Sequence, residues 1–284
     1  MKAMILAAGR GTRLRPLTDS RPKALVEING RTLLEITLRR LRFLDIDEVI
    51  INVHHFADMI VDYLESNHNF GMRIAISRED DLLLDTGGGL KKASWFFLES
   101  SRGPSAQSRN DQTPQTSRNP DEPFVLHNVD VISTIDIRRM LQFHNQHGAL
   151  ATLAVQSRPS ARLLLFNHQD LLVGRAASSG ESVIAEAKTS PVISSETRNP
   201  PSDSPLATRH QPAPLAFSGI HIISSGLLPM LKETGVFSII DAYLRLAAQG
   251  EKILGFRADE YYWRDLGRPA DLSQAARDLR QRTP

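Results

Sequence analysis

The sequence predicts an α/β protein with a mostly parallel sheet, and three observations carry that prediction. Residues 3–8 form a short apolar run that stops at Gly9 without polar alternation, the pattern of a strand covered on both faces. Strand-like and helix-like periodicities then alternate as far as Val155. Beyond that point, residues 163–166 and 171–173 flank 167–170 like a hairpin, which adds a smaller antiparallel part.

After the first strand the chain reads as a loop to about Asn29. Residues 32–43 follow as a helix, with Leu33, Leu34, Ile36, Leu38, Leu41 and Phe43 spaced near 3.6 among Arg39, Arg40 and Arg42. Residues 48–53 are β-branched and apolar, 57–66 are helical, 73–77 alternate and 90–98 return to helix. A strand at 124–126 runs into His127, Asn128, Val129 and Asp130; 135–147 reads as helix and 149–155 as strand. Later come a strand at 215–223, a helix at 238–248 with Ser238 as its cap, a strand at 253–256 and a last helix at 270–279 opened by Pro269. The sum is a Rossmann-like architecture: a mixed, mostly parallel sheet flanked by helices, with a small antiparallel part.

A chain of 284 residues suits one large α/β domain, 1–284. Two stretches, 100–122 and 189–214, are rich in Ser, Pro, Asn, Gln, Thr and Arg, carry no aromatic residue and are expected to be flexible insertions. Apolar residues at 41% and charged residues at 23% supply an ordinary core. A formal charge of +2 is too balanced for a nucleic-acid or membrane footprint, so neither partner is expected. Without cysteine there is no disulfide, thiolate metal site or thiol nucleophile. The opening MKAMILAAGRG breaks into a basic glycine turn where an export signal needs a longer apolar core, so a cytoplasmic protein is expected, as monomer or small homo-oligomer.

The most informative stretch is LAAGRGTRLRPLTDSRPKAL, 6–25, where the first strand ends in glycines and then gathers Arg10, Arg13, Arg15, Arg21 and Lys23. Gly9 and Gly11 can turn backbone N–H groups toward phosphate oxygens while Arg13 and Lys23 neutralise a polyanion. A plain turn with surface arginines would explain the glycines but not the Pro22-Lys23 pair. The stretch lacks the Gly-Lys-Ser/Thr of a Walker loop, and Leu14 occupies the third glycine position of a dinucleotide fingerprint. A second glycine run, LDTGGGLKKA at 84–93, precedes a helical pattern and could present unpaired N–H groups to a ligand or simply cap the helix.

LAAGRGTRLRPLT followed by RPKAL resembles the signature of sugar-1-phosphate nucleotidyltransferases, and the resemblance covers nearly all of the chain outside the two insertions. It implies that a nucleoside triphosphate and a sugar 1-phosphate are the substrates and that Mg²⁺ is the cofactor. Carried over, Ala8, Gly9, Gly11 and Thr12 hold the triphosphate, Arg13 and Lys23 act at the reacting phosphates, and Gly87 and Gly88 face the nucleoside. Asp130, after a strand, and Asp265, in the Trp263-x-Asp265-x-Gly267 segment, become the metal ligands; two carboxylates suffice for a hard cation that keeps water and phosphate in its other positions. On the sugar side the resemblance points to Asn128, Gly219 and Glu181. Larger relatives add a left-handed β-helix of hexapeptide repeats, for which no repeat pattern is expected here.

Two positions depart from the pattern: Ala24 replaces a second proline and Val129 a glycine. They favour a non-catalytic nucleotide-sugar sensor, against which Arg13, Lys23, Asp130 and Asp265 are all retained. His54 and His55, after a strand, read as exposed loop residues. No histidine is expected to act in the chemistry, because a sugar 1-phosphate already carries an anionic nucleophile.

Overall fold

Apolar runs without alternation become the inner strands, and the amphipathic segments become helices laid across them. The computed structural model describes residues 1–98, 122–177, 182–184 and 211–282. In chain order the elements are β1 (Lys2–Leu6), the short pair β2 (Glu27–Ile28) and β3 (Arg31–Thr32), α1 (Leu33–Phe43), β4 (Glu48–Val53), α2 (Ala57–Ser66), β5 (Arg73–Arg78), α3 (Asp85–Lys92) and α4 (Trp95–Leu98). There follow β6 (Pro123–Asn128), β7 (Val131–Ser133), α5 (Ile137–His147), β8 (Ala151–Gln156), β9 (Arg162–Phe166), β10 (Leu172–Ala177), β11 (Ser182–Ile184) and β12 (Ala213–Ser224). The described chain closes with α6 (Ile239–Ala248), β13 (Ile253–Arg257), β14 (Trp263–Asp265) and α7 (Pro269–Arg282).

The main sheet runs β5-β4-β1-β6-β12-β8-β13, with every strand parallel except β12. β12 also pairs β9 through its first four residues, and β10 and β11 continue outward from β9. The antiparallel part is therefore continuous with the parallel sheet rather than a separate layer. β9 and β6 share one edge of β12, leaving Phe217–Gly219 unpaired on that side, between the partners Ala216↔Leu163 and Ile220↔His127. A bulge interrupts the β8 pairing between Phe217 and His221.

Local chemistry explains the helix starts. Thr32 Oγ1 accepts from Glu35 N–H (3.0 Å), half of a capping box, and Leu33, Leu34, Leu38 and Leu41 are buried on the sheet. Asp136 caps α5 through two backbone N–H groups, and Ser238 caps α6 by accepting from Ile240 N–H (3.3 Å). The second glycine run corrects the expectation: α3 begins at Asp85, so the glycines lie inside the helix rather than before it, and the expected 90–98 helix is divided into α3 and α4. β12 starts at Ala213, two residues ahead of the expected strand and within the end of the expected second insertion. Most of 100–122 and 189–214, together with Glu181, lies outside the described residues. No described helix is long and apolar enough to cross a membrane.

Candidate active site

From β1 the chain moves to β4 and β5 on one side and returns to β6 on the other, so the carboxyl ends of β1 and β6 flank a switch point where open α/β sheets bind ligands. The loop after β1 folds back on itself there. Gly11 has φ +65°, and its carbonyl accepts from Leu14 N–H (2.8 Å) and Thr18 Oγ1 (2.9 Å). A Cβ at Gly11 would stand 2.9 Å from Thr18 Cγ2 and 3.1 Å from Lys23 Cβ, so only glycine lets the loop close onto Lys23. Lys23, almost fully buried, donates to Asp130 Oδ2.

The turn that carries Lys23 closes with Leu25 N–H on Pro22 O (3.0 Å) and Val26 N–H on Lys23 O (3.1 Å). Neither bond uses the Ala24 N–H, so the departure from proline leaves both hydrogen bonds of the turn in place. Val129 donates its N–H to Leu6 O (3.1 Å) and does not adopt a positive φ, so glycine is not required there either.

Asp130 follows β6, and the ladder between β7 and β14 places Asp265 opposite Val131, with Leu266 N–H donating to Asp130 O (2.9 Å). Burial pushes the Asp265 carboxyl above its ordinary value; the Asp130 charge adds to the rise, and Lys23 and Arg13 oppose it. The Arg13 guanidinium lies against Gly267, where a Cβ would come within 2.8 Å of Nη2. Arg40 of α1, largely buried, donates to Ser133 Oγ (2.7 Å) and to Ile135 O, which fixes the β7 segment; burial lowers its pKa to about 10.

Two cavities meet at Arg13, Asn128 and Asp130. One, of about 500 Å³, is lined by the β1 loop, including Ala8, Gly9, Gly11 and Thr12, by Lys23, and by Asp85 and Thr86 at the start of α3. The other, of about 820 Å³, lies over the unpaired stretch of β12 and is lined by Gly219, Asp265, Trp263, Arg158, Arg162 and Arg175, among others. Gly219 has φ +73°, and a Cβ there would stand 2.9 Å from Val131 Cγ2 and 3.0 Å from Asn128 Nδ2. Arg158 is stacked 3.5 Å from the Trp263 ring centroid and donates to Phe217 O (2.7 Å), while Trp263 Nε1 donates to Ser218 O (2.7 Å). Arg175 is paired with Asp241 at 2.8 Å. Beneath the cleft, burial drives His127 and His221 down to about 3, so both are neutral at physiological pH.

The structure thus brings Ala8, Gly9, Gly11, Thr12, Arg13, Lys23, Asn128, Asp130, Gly219 and Asp265 to one continuous cleft. Gly87 and Gly88 are not among its lining residues. Their N–H groups donate to Phe237 O (3.0 and 3.3 Å), and they pack against Phe237 and Gly235. Sequence reasoning missed Arg158 and Arg162, whose place on the wall depends on how β9 branches from β12, and in the second glycine run it singled out Gly87 and Gly88 rather than Asp85 and Thr86.

Residues 2–162 match the sequence profile of the nucleotidyl transferase family. The chain belongs to that family. It is 32% identical over 169 residues to a UTP–glucose-1-phosphate uridylyltransferase of Synechocystis, covering 56% of this chain and 38% of that one. Identity reaches 48% over 93 residues with an N-acetylmuramate α-1-phosphate uridylyltransferase of Caulobacter vibrioides, covering 32% of this chain and 38% of that one. It is 32% over 156 residues with mannose-1-phosphate guanylyltransferase 1 of Arabidopsis thaliana, covering 55% and 38%. The chain thus spans 38% of the length of each of these relatives. A putative glucose-1-phosphate thymidylyltransferase of Bacillus anthracis shares the fold with a TM-score of 0.70 at 17% identity, over 100% of this chain and 96% of that one. HddC of Yersinia pseudotuberculosis shares it with a TM-score of 0.67 at 18% identity, over 98% and 99%.

Proposed function

We propose that this nucleotidyl transferase moves a nucleoside monophosphate from a nucleoside triphosphate to a sugar 1-phosphate, giving a nucleoside diphosphate sugar and pyrophosphate. The observation that carries the reading is the buried Lys23–Asp130 pair beside Asp265, where the two cavities join. The loop with Ala8, Gly9, Gly11 and Thr12 receives the triphosphate, and Asp85 and Thr86 face the nucleoside. Gly87 and Gly88 support that wall by packing. Asn128 and Gly219 border the sugar, with Glu181 assigned to the same side by family resemblance.

Asp130 and Asp265 would hold magnesium. Asp130 and Asp265 line the same cavity, joined through the β7–β14 ladder, and two such carboxylates suit a hard divalent cation. When bound, the ion neutralises charge on the phosphate oxygens. The chain's own groups orient and stabilise the reaction: Lys23 and Arg13 place positive charge beside the α-phosphate and the leaving group. The sugar phosphate oxygen forms the new bond to the α-phosphorus, the bond to the bridging oxygen breaks, and pyrophosphate departs with its electron pair and with inversion at phosphorus. No proton need be removed from the nucleophile, in keeping with the neutral, buried His127 and His221.

For the substrates, UTP and N-acetylmuramate 1-phosphate are the preferred pair, with GTP and mannose 1-phosphate as the alternative. The 48% identity with the Caulobacter uridylyltransferase supports the first. So does the larger cavity, where Arg158 and Arg162 can meet the lactyl carboxylate that mannose 1-phosphate lacks. Pyrophosphate release should be measured for the four nucleoside triphosphates against the 1-phosphates of N-acetylmuramate, N-acetylglucosamine, mannose and glucose. UTP with N-acetylmuramate 1-phosphate is expected to be fastest, and Arg162→Ala should cut its preference over N-acetylglucosamine 1-phosphate by about tenfold, the effect of losing one charged hydrogen bond. Failure of every pair to release pyrophosphate would sink the reading.

A further inference from the structure

The loops after β1 and β5 both reach the smaller cavity, yet these strands are not neighbours, because β4 lies between them. One buried polar chain crosses the gap. Ala7, the first residue past the β1 ladder, donates its N–H to Asn52 Oδ1 (2.8 Å) near the end of β4. Asn52 Nδ2 donates to Glu79 Oε1 (2.7 Å), and Glu79 Oε2 accepts from Leu84 N–H (2.8 Å). Asn52 is 2% exposed and Glu79 1%. The main-chain oxygen of Glu79 is held as well, 2.6 Å from His54 Nδ1.

Donor and acceptor rules fix this arrangement. A backbone N–H can only donate, so Ala7 turns the Asn52 oxygen toward itself and the amide nitrogen toward Glu79, while Leu84 requires an acceptor at the far end. A carboxylate beside an asparagine satisfies both ends at once. α3 seals the chain, since a Cβ at Gly89 would stand 2.8 Å from both Asn52 Nδ2 and Glu79 Oε1. Immediately beyond the two ends lie Ala8 and Gly9 on one side and Asp85 and Thr86 on the other, all lining the smaller cavity.

We infer that Asn52 and Glu79 are positioning residues that set the spacing between the triphosphate loop and the nucleoside wall, without touching the substrate themselves. The inference rests on the nucleotide-binding reading given above. It predicts a selective defect: the nucleoside triphosphate should bind less well, while the sugar 1-phosphate, held on the other side of Asp130, should be little affected.

The test reverses the polarity of the bridge. In Glu79→Gln an amide faces two donors, and in Asn52→Asp two carboxylates face each other, a repulsion relieved only by taking up a proton, so each single variant disturbs the chain at a pH where both carboxylates are ionised. In Asn52→Asp/Glu79→Gln the introduced aspartate accepts from Ala7 N–H and from the introduced glutamine, whose oxygen accepts from Leu84 N–H. UTP binding by calorimetry, which needs no turnover, is measured together with the KM of each substrate and kcat. Each single variant should weaken UTP binding and raise its KM by about tenfold, the scale of one unsatisfied buried group, with the sugar 1-phosphate KM within about threefold. The double variant should return UTP binding to within about threefold of wild type.

Single variants that fold and bind UTP normally overturn the inference, as do equal losses for both substrates, which mark a merely structural role. If the singles do not fold, the double decides, and a folded double variant that binds UTP tenfold more weakly overturns the inference too. Wild-type protein that binds no nucleoside triphosphate removes the underlying functional reading, whereas normal wild-type binding with unaffected variants removes only the positioning role.

Discussion

The chain carries two glycine runs, each after a parallel strand of the same sheet, and the structure uses their glycines in opposite ways. In the loop after β1 a Cβ on Gly9 would meet nothing within 4 Å, and Gly11 adopts φ +65° to fold the chain onto Lys23. In the segment after β5 the glycines are buried within α3; a Cβ on Gly87 would overlap the Phe237 ring and come within 2.9 Å of Ile239 N, and one on Gly88 would stand 2.5 Å from Gly235 O. In the first loop the missing side chain of Gly9 leaves the smaller cavity open, whereas in the second the missing side chains allow close approach of α3 to the segment before α6. Glycine content alone does not tell the two apart; what distinguishes the first is that Arg13 and Lys23 line the same cavity as its glycines.

The comparison can be broken at either run. Lys23→Ala should show the largest effect, a fall in turnover of about two orders of magnitude or more with an unchanged circular dichroism spectrum, as for loss of a group that stabilises transition-state charge. Next comes Gly87→Ala, which should lose about 1–3 kcal/mol in urea unfolding through overpacking against Phe237. Turnover per folded molecule should change far less than for Lys23→Ala. Smallest is the effect of Gly9→Ala on stability, within about 0.5 kcal/mol, together with a KM for the nucleoside triphosphate raised several-fold. Were Gly87→Ala instead to leave stability intact and abolish nucleotide binding, the two runs would not differ as described.

Much of the frame was legible because its signals are local. The buried run of β1, the apolar stripe of α1 and the Ser238 cap of α6 each depend on residues within a few positions, and each formed within one or two residues of expectation. The start of α3 was not legible, since it depends on Phe237 and Gly235 packing from far along the chain. In the site, Arg13, Lys23 and the glycines of the first loop stood out through charge density. Asp130 and Asp265 each follow a strand-like run, but it took the family resemblance to make them metal ligands, because the short ladder between β7 and β14 that brings them together leaves no periodic trace. Arg158 on Trp263 and the Asn52–Glu79 bridge are tertiary meetings of ordinary residue types.

The most direct test of the account is the magnesium-dependent rate of pyrophosphate release by Asp130→Asn and Asp265→Asn at saturating nucleoside triphosphate and sugar 1-phosphate. With melting temperatures close to wild type, each variant should fall by about two orders of magnitude or more. A rate within about threefold of wild type in either variant would contradict the placement of the chemistry between these carboxylates and Lys23.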